Sequence, residues 1–377
     1  MEHWKIIRND NLDVIDLEDF DVNSLIEHYY NNNRVCVYVY KEKELLGVIG
    51  RKEIELIREK GVLVINKSFV FLVEQPETEK HAERLFDENP QIWNVPVVGD
   101  NGRVLYEFKK SFEKYYEDLD ISEGVNTDSR AEKIVVSLTS HGLRLNTVYI
   151  AIRSIMAQSL RPDIIVLYLD EDSGDKKIVN EDELIRAGLV IKRNVENLRP
   201  HCKYYYAFQD YPDDIVITVD DDIIYPDNLI GDLYHAHLKF KDAVIAHRAH
   251  KAFDNDGNEL LVRDYLWEVS TKKPEKFLCA TGVGGVLYPP GEYRKAFLDR
   301  EAIKNLSLNA DDIWLMYMEA MMGIKVYALE PYKMRTVESS QDEIGLSLKN
   351  DVENENQIWL ENLEKHFGKT LKQLIDG

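Results

Sequence analysis

Cysteine is scarce: Cys36, Cys202 and Cys279 are the three in a chain of 377 residues. They are scattered, odd in number and without CxxC spacing. That argues against a disulfide framework and a zinc site and suits a reducing compartment. Long apolar runs are also missing. None is long enough to cross a bilayer, and the start Met1-Glu2-His3-Trp4-Lys5 has no apolar signal core. A soluble, cytoplasmic protein is expected; peripheral membrane contact stays open, although no basic amphipathic helix is there to drive it. Positive charge is in deficit, with 47 Lys and Arg against 68 Asp and Glu and a formal net charge of −21. Such a surface repels nucleic acid. A phosphate-bearing ligand would need a metal or a few local cations. Zinc-protease spacing such as HExxH is absent.

The length exceeds one ordinary core, so two domains are expected, and a hydrophobic content of 44% is enough to pack them. The most informative stretch is Ile215-Val216-Ile217-Thr218-Val219-Asp220-Asp221-Asp222. Its first five residues are all β-branched, as in a parallel strand covered on both faces. It ends in three carboxylates, which repel one another unless something cationic joins them. Ligands of open α/β sheets sit beyond the carboxyl ends of the strands. The simplest reading is a divalent metal on oxygen ligands, itself holding a phosphate; the bland one is a solvated turn.

Residues 1–110 alternate short helical and extended pieces. Strands are expected at Arg34–Tyr40 and Glu44–Gly50, then again at Phe69–Val73, Trp93–Val98 and Arg103–Phe108, with helices at Asn23–Tyr30, Lys52–Lys60 and Glu77–Glu88. Two copies of one plan suggest an internal repeat of roughly fifty residues. The stretches "VPVVGDNGRVLYEF" and "VYVYKEKELLGVIGRKEI" resemble the second halves of two CBS motifs, so the region is similar to a tandem CBS pair. The resemblance implies a small α+β module that binds adenosine nucleotides or mediates homodimerisation. Where the family carries a Ser or Thr and then an Asp for the ribose, the copies offer Gly50 and Glu53, and Phe108 with no acid, which favours a ligandless structural module. Residues 111–131 turn polar and acidic and are expected to be a linker.

From residue 132 to 377 the pattern is α/β. Strands are expected at Ile134–Leu138, Ile164–Leu169, Leu189–Ile191 and Ile215–Val219, with helices at Asn146–Gln158, Glu181–Ala187 and Cys202–Gln209 between them. That alternation predicts a parallel sheet with right-handed crossovers. Beyond the first strand, Thr139, Ser140, His141, Gly142 and Arg144 form a donor-rich loop that can hold a base and ribose, or cap the helix after it. Asp170 ends the second strand. Lys203 and Arg199 are candidates for a diphosphate. Thr281-Gly282-Val283-Gly284-Gly285 lets a backbone approach a ligand closely, and no GK[ST] follows it. Asp311 and Asp312 open a helix, where acids are ordinary caps. His235 and His237, two apart on an expected helix, do not share a face, and His247 and His250 follow a strand at Ala243–Ala246.

Five blocks in order, "VVSLTSHGLR", "SIMAQSLRPDIIVLYLDED", "YPDDIVITVDDDIIYPDNL", "TGVGGVLYPP" and "NADDIWL", resemble the GT-A fold glycosyltransferases of bacterial surface-polysaccharide synthesis. The resemblance covers residues 133–335. It implies a GT-A, Rossmann-like mixed sheet and a hexosyl- or N-acetylhexosaminyl-transferase. Such an enzyme takes a nucleoside-diphosphate sugar, a UDP-sugar first, and a saccharide or lipid-linked saccharide acceptor. On that reading Asp222 and Asp220, the DXD acids, hold Mn2+ or Mg2+. Thr139, His141, Arg144, Asp170, Lys203, Asp220 and Asp221 bind the donor. Gly284 and Gly285 shape the sugar and acceptor pocket, and Asp312, then Asp311, supplies the general base of an inverting displacement. Beside them Trp314 is a candidate wall for a sugar ring in that pocket, although a tryptophan so placed is more often core. A retaining outcome, a sugar nucleotidyltransferase and a non-catalytic regulatory protein are the alternatives. Residues 337–357 are expected to form a polar loop. Ile358, Leu363, Phe367, Leu371 and Leu374 make an apolar stripe that would pack on the domain.

Overall fold

The computed structural model describes residues 119–332, 334–337 and 355–375 throughout; within the first 118 residues it describes seven strands, the helix Phe112–Glu117 and a few residues beside them. The chain divides into two units, 1–118 and 119–377.

In the first unit the strands are β1 (Trp4–Arg8), β2 (Val14–Asp16), β3 (Cys36–Lys41), β4 (Glu44–Gly50), β5 (Leu72–Val73), β6 (Asn94–Val98) and β7 (Val104–Lys110). One three-strand plan occurs twice. β2 runs parallel to β3, which turns back antiparallel into β4; β5 runs parallel to β6, which turns back into β7. β1 adds to the free side of β7. Tyr38, Val39 and Tyr40 of one copy, consecutive and so covered on both faces, are buried, as are Val95, Val97 and Phe108 of the other. The Tyr40 hydroxyl accepts the Val104 N–H at 2.6 Å, tying the copies together. Phe108 lies in this core, where nothing reaches it from solvent. The expected helices at 23–30 and 52–60, and Glu53, lie outside the described residues.

The second unit holds a seven-stranded mixed sheet of Rossmann-like kind. Its strands are β8 (Ile134–Thr139), β9 (Ile164–Asp170), β10 (Leu189–Val195), β11 (Ile215–Thr218), β12 (Val244–Ala246), β15 (Val286–Tyr288) and β16 (Val326–Ala328), in the order β10-β9-β8-β11-β15-β12-β16. β13 (Ala249–Lys251) and β14 (Leu278–Ala280) form a separate ladder. The first four sheet strands are parallel, as the apolar runs of β8, β9 and β11 predict; every residue of β11 is buried, whereas β10, at the sheet edge, carries Lys192, Arg193 and Asn194. The sheet is not parallel throughout. β15 enters antiparallel to both β11 and β12.

Two consequences place the site. The chain lays down β8, β9 and β10 in one direction and then returns to put β11 on the other side of β8. That reversal opens a crevice at the carboxyl ends of β8 and β11. Because β15 runs the opposite way, its first residue lies beside the last of β11, with Val286 opposite Thr218. The glycine-rich turn before β15 therefore reaches the same edge.

Residues 119–131, expected as a linker, are held by the second unit. Val125 and Asn126 donate backbone N–H groups to Ala187 and Pro162, and Arg130 pairs with Asp163 at 3.1 Å. The C-terminal helix Glu355–Phe367 buries Leu360 and Leu363, and Leu371 and Leu374 follow. Ile358, expected in that stripe, faces solvent, because Leu360 occupies the turn that meets the core. Among the described residues no helix is long and apolar enough to cross a membrane.

Candidate active site

The strand β11 delivers three acids to the crevice, and each finds different company. Asp220 turns toward Lys203, whose Nζ lies 2.7 Å from its Oδ1. Asp221 points back under β8. It accepts from the Ser140 hydroxyl at 2.5 Å and from Arg144 Nη1 at 2.9 Å, and is almost fully buried. Asp222 receives the other prong of the same guanidinium, Nη2 to Oδ2 at 3.1 Å. Arg144 thus clamps two neighbouring carboxylates, a geometry that its planar fork suits. Burial opposes the guanidinium charge, but Asp221 and Asp222 outweigh it and raise the pKa. Asp221 and Arg144, expected on the donor, are here engaged with protein groups: Asp221 is enclosed by Ser140 and Arg144, and Arg144 serves Asp221 and Asp222.

The second pair opens the helix Asp311–Met322. Lys203 Nζ lies 3.0 Å from Asp311 Oδ2, close enough to pair electrostatically although not aligned as a hydrogen bond. Asp312 Oδ1 accepts the Gly282 N–H at 3.0 Å. Lys203 therefore spans the acid turn and the acid pair. Its own helix, Cys202–Asp210, is set by Ser137 of β8, whose hydroxyl donates to the Lys203 carbonyl at 2.5 Å. Burial disfavours the ammonium, yet Asp220 and Asp311 hold its pKa well above the usual lysine range. Gly282 makes room for it, since a Cβ there would sit 2.4 Å from Nζ. Lys203 is engaged by carboxylates, so the free diphosphate ligand expected from the sequence is replaced by a buried strut.

Five aspartates thus meet two cations, and the excess negative charge shows in the titrations. Burial and the neighbouring Asp221 and Asp220 push Asp222 up to about 6. Burial and Asp311 push Asp312 up to about 7. Asp311, against Lys203, goes down despite its burial. Among the described residues Asp220 Oδ2 and Asp222 Oδ1 have no hydrogen-bond or ion-pair partner, and the side chains are 28% and 23% exposed. No group of three or more His, Cys, Asp or Glu side chains converges as a complete metal cage among the described residues.

Two groups that the sequence did not single out brace the crevice. Tyr225 is fully buried; its hydroxyl accepts the Asp220 N–H at 2.7 Å and donates to the Val283 carbonyl at 3.2 Å, joining acid turn to glycine turn. Arg248 donates to the Thr281 hydroxyl at 3.1 Å and pairs with Glu268 at 3.0 Å. A tyrosine following a strand-end acid run was the only available signal for the first. Behind Asp311, His201 is enclosed, with Nδ1 against the Tyr204 hydroxyl and Nε2 against the Ser307 carbonyl, and burial takes it down to about 4. Residues 335–337 pair with the acid turn: Val337 N–H donates to the Asp222 carbonyl and Ile224 N–H to that of Arg335. The loop 338–354 lies outside the described residues.

Other expected site residues have local partners. Thr139 gives its hydroxyl to the Tyr168 carbonyl, and Asp170 Oδ1 accepts the Ser173 N–H in a turn. His141 is exposed at the start of the turn Gly142–Asn146. Gly285 has φ +81°, and a Cβ on Gly284 would lie 2.6 Å from that of Arg248. Trp314 is corrected: it is fully buried, its indole N–H donates to the Phe297 carbonyl, and it cannot wall a sugar pocket. His237 is enclosed against Glu132, and Cys202 and Cys279 are free and buried.

No protein-family profile matches the sequence, and no curated protein matches it. Solved structures are similar to parts of it. Staphylococcus aureus OpuCA matches with 15% identity and a TM-score of 0.24, over 28% of this chain and 87% of that one. A CBS domain protein from Streptococcus pneumoniae matches with 13% identity and a TM-score of 0.24, over 30% and 84%. A mannosyltransferase from Pyrobaculum calidifontis, in complex with GDP-Man and Mn2+, matches with 12% identity and a TM-score of 0.34, over 58% of this chain and 60% of that one. At these scores the chemistry has to be argued from the residues of the site itself.

Proposed function

We propose that this chain is a glycosyltransferase that moves a sugar from a nucleoside-diphosphate donor to a saccharide hydroxyl. The observation that carries the reading is the meeting of two acid sets across Lys203: Asp220 2.7 Å away on one side, Asp311 3.0 Å away on the other, with Asp312 on the Gly282 N–H. Transfer needs a place for a diphosphate and a base for the attacking hydroxyl, and the crevice offers both.

On the strand side, Asp220 and Asp222 would hold Mn2+ or Mg2+ through the oxygens that lack protein partners, with phosphate and water completing the shell. Bound there, the metal supplies Lewis-acid stabilisation of the leaving diphosphate. On the helix side, Asp312 is the base. A carboxylate raised to about 7 accepts a proton well near neutral pH, and the Gly282 N–H fixes its other oxygen. Lys203 keeps Asp311 ionised and so separates the roles of two adjacent acids. The first unit is read as a CBS-like structural module and a candidate dimerisation surface. A nucleotidyltransferase is the second reading; it would release pyrophosphate rather than a nucleoside diphosphate.

The test is a thermal-shift panel of nucleotide sugars with and without manganese, since a ligand that binds only the folded chain raises the melting temperature. A donor should register only with metal present. Asp312→Asn should keep that shift and lose transfer by a factor of about 10² to 10⁴. Undiminished turnover in Asp312→Asn removes the base assignment, and metal-independent donor binding removes the metal.

A further inference from the structure

Between β13 and β14 the chain makes a long excursion, residues 252–277, that leaves and returns on one antiparallel ladder. Its later part folds back onto β13. Lys251 and Leu266 exchange both backbone hydrogen bonds, and the Val269 N–H donates to the Ala249 carbonyl at 3.0 Å. Trp267 lies between these anchors and is 55% exposed, whereas Trp314 is fully buried and Trp359 half-buried. A single exposed apolar side chain needs no explanation. The mounting of this one does.

The Arg248 guanidinium carbon lies 5.3 Å from the Trp267 ring centre, and the His250 ring centre 4.2 Å away. The next residue, Glu268, has φ +50°, a conformation that residues with side chains hold only where their surroundings fix it. What fixes it is visible. Its N–H donates to His250 Nδ1 at 3.0 Å and its carboxylate takes Arg248 Nε at 3.0 Å. The same Arg248 reaches into the site through Thr281, whose neighbour Gly282 binds Asp312. An immobilised, outward indole with an arginine and a glutamate beside it thus stands one side chain from the turn that holds the candidate base. A pyranose presents C–H groups on a face and hydroxyls at its edge. An aromatic plate flanked by a cationic donor and an anionic acceptor answers both.

We propose that Trp267 is the stacking platform for the saccharide acceptor, with Arg248 and Glu268 bonding its hydroxyls. The proposal rests on the transferase reading for the word acceptor. The binding itself is testable without turnover.

The experiment is a printed array of bacterial oligosaccharides, followed by calorimetric titration of the best soluble glycan into wild-type protein and variants. Trp267→Ala should weaken binding about tenfold or more, the scale of one aromatic contact. Trp267→Phe should recover most of it, and Leu261→Ser, at an exposed apolar residue of the same excursion, should leave it unchanged. Equal affinity in wild type and Trp267→Ala overturns the platform, as does wild-type protein that binds no glycan at millimolar concentration. A Trp267→Ala effect on oligomeric state, with glycan affinity intact, likewise assigns the surface to protein contact and overturns it. The two readings fail separately: glycan bound through Trp267 without any nucleoside diphosphate release would sink the transferase and leave the platform standing.

Discussion

The acids after β11 and the acids that open the helix Asp311–Met322 are the same residue type in one crevice, yet they are treated differently. In the strand set Asp221 and Asp222 share the forked Arg144, and among the described residues two carboxylate oxygens, of Asp220 and Asp222, are unpartnered, their side chains partly exposed. In the helix set Asp311 is buried and held down by Lys203, and the half-buried Asp312 is pushed up to about 7. Charge number therefore does not define a carboxylate's use. The position of the nearest cation does, and here a single lysine sits between both sets.

The sharpest way to break this comparison is to remove that lysine. Lys203→Met leaves Asp311 buried opposite no cation, and an unpaired buried charge costs about 3–5 kcal/mol. Urea unfolding at pH 8 should show a loss on that scale. The loss should shrink at pH 5, where Asp311 without its lysine takes up a proton. A loss below about 1 kcal/mol would mean that the strut contributes only a surface-like pair.

A smaller effect sharpens the helix side. His201 is enclosed as the neutral ring, down to about 4 from an ordinary 6.5. Above pH 6.5 neither folded nor unfolded chain binds this proton, and the stability is fully present. Between 6.5 and 4 the unfolded chain takes it up first, so stability falls with pH, by about 3 kcal/mol for one proton. His201→Gln should flatten the pH dependence of unfolding over that window; parallel curves for the two proteins would refute it.

The smallest expected effect concerns the bridge between acid turn and glycine turn. Tyr225→Phe deletes a buried hydroxyl with two partners and strands the Asp220 N–H, at a cost of about 1–3 kcal/mol. If Tyr225 orients the acid turn, the variant also raises the metal concentration needed for donor binding in the thermal-shift assay. Stability loss with unchanged metal dependence would make it a packing residue only.

How much of this was legible follows from what each residue's neighbours are. The β-branched run at 215–218 states its own structure, and β11 forms with parallel partner β8 as the pattern requires. The strand ends also say where the acids go. The sequence does not state which cation each acid meets, because Arg144, Lys203 and the acids are brought together by the strand order alone. The strand–helix alternation predicted parallel strands and could not give the antiparallel direction of β15, since three residues carry no signal of direction. Of the two readings open for Trp314, sugar wall or core, the structure takes the core, because the helix Asp311–Met322 is buried on nearly every side. Trp267 stands among the apolar and charged residues of 260–269 with no motif to mark it; only its contacts with Arg248 and His250 set it apart.

The β13–β14 ladder closes the excursion 252–277 at its base, as a drawstring closes a bag. Its return limb is bonded to the edge strand β16, Thr271 to Ala328 and Glu275 to Val326, so the freedom to change lies in the exposed turn at residues 255–258. Selection can therefore alter that turn while the anchored limbs keep Trp267 in its place beside Arg248 and His250.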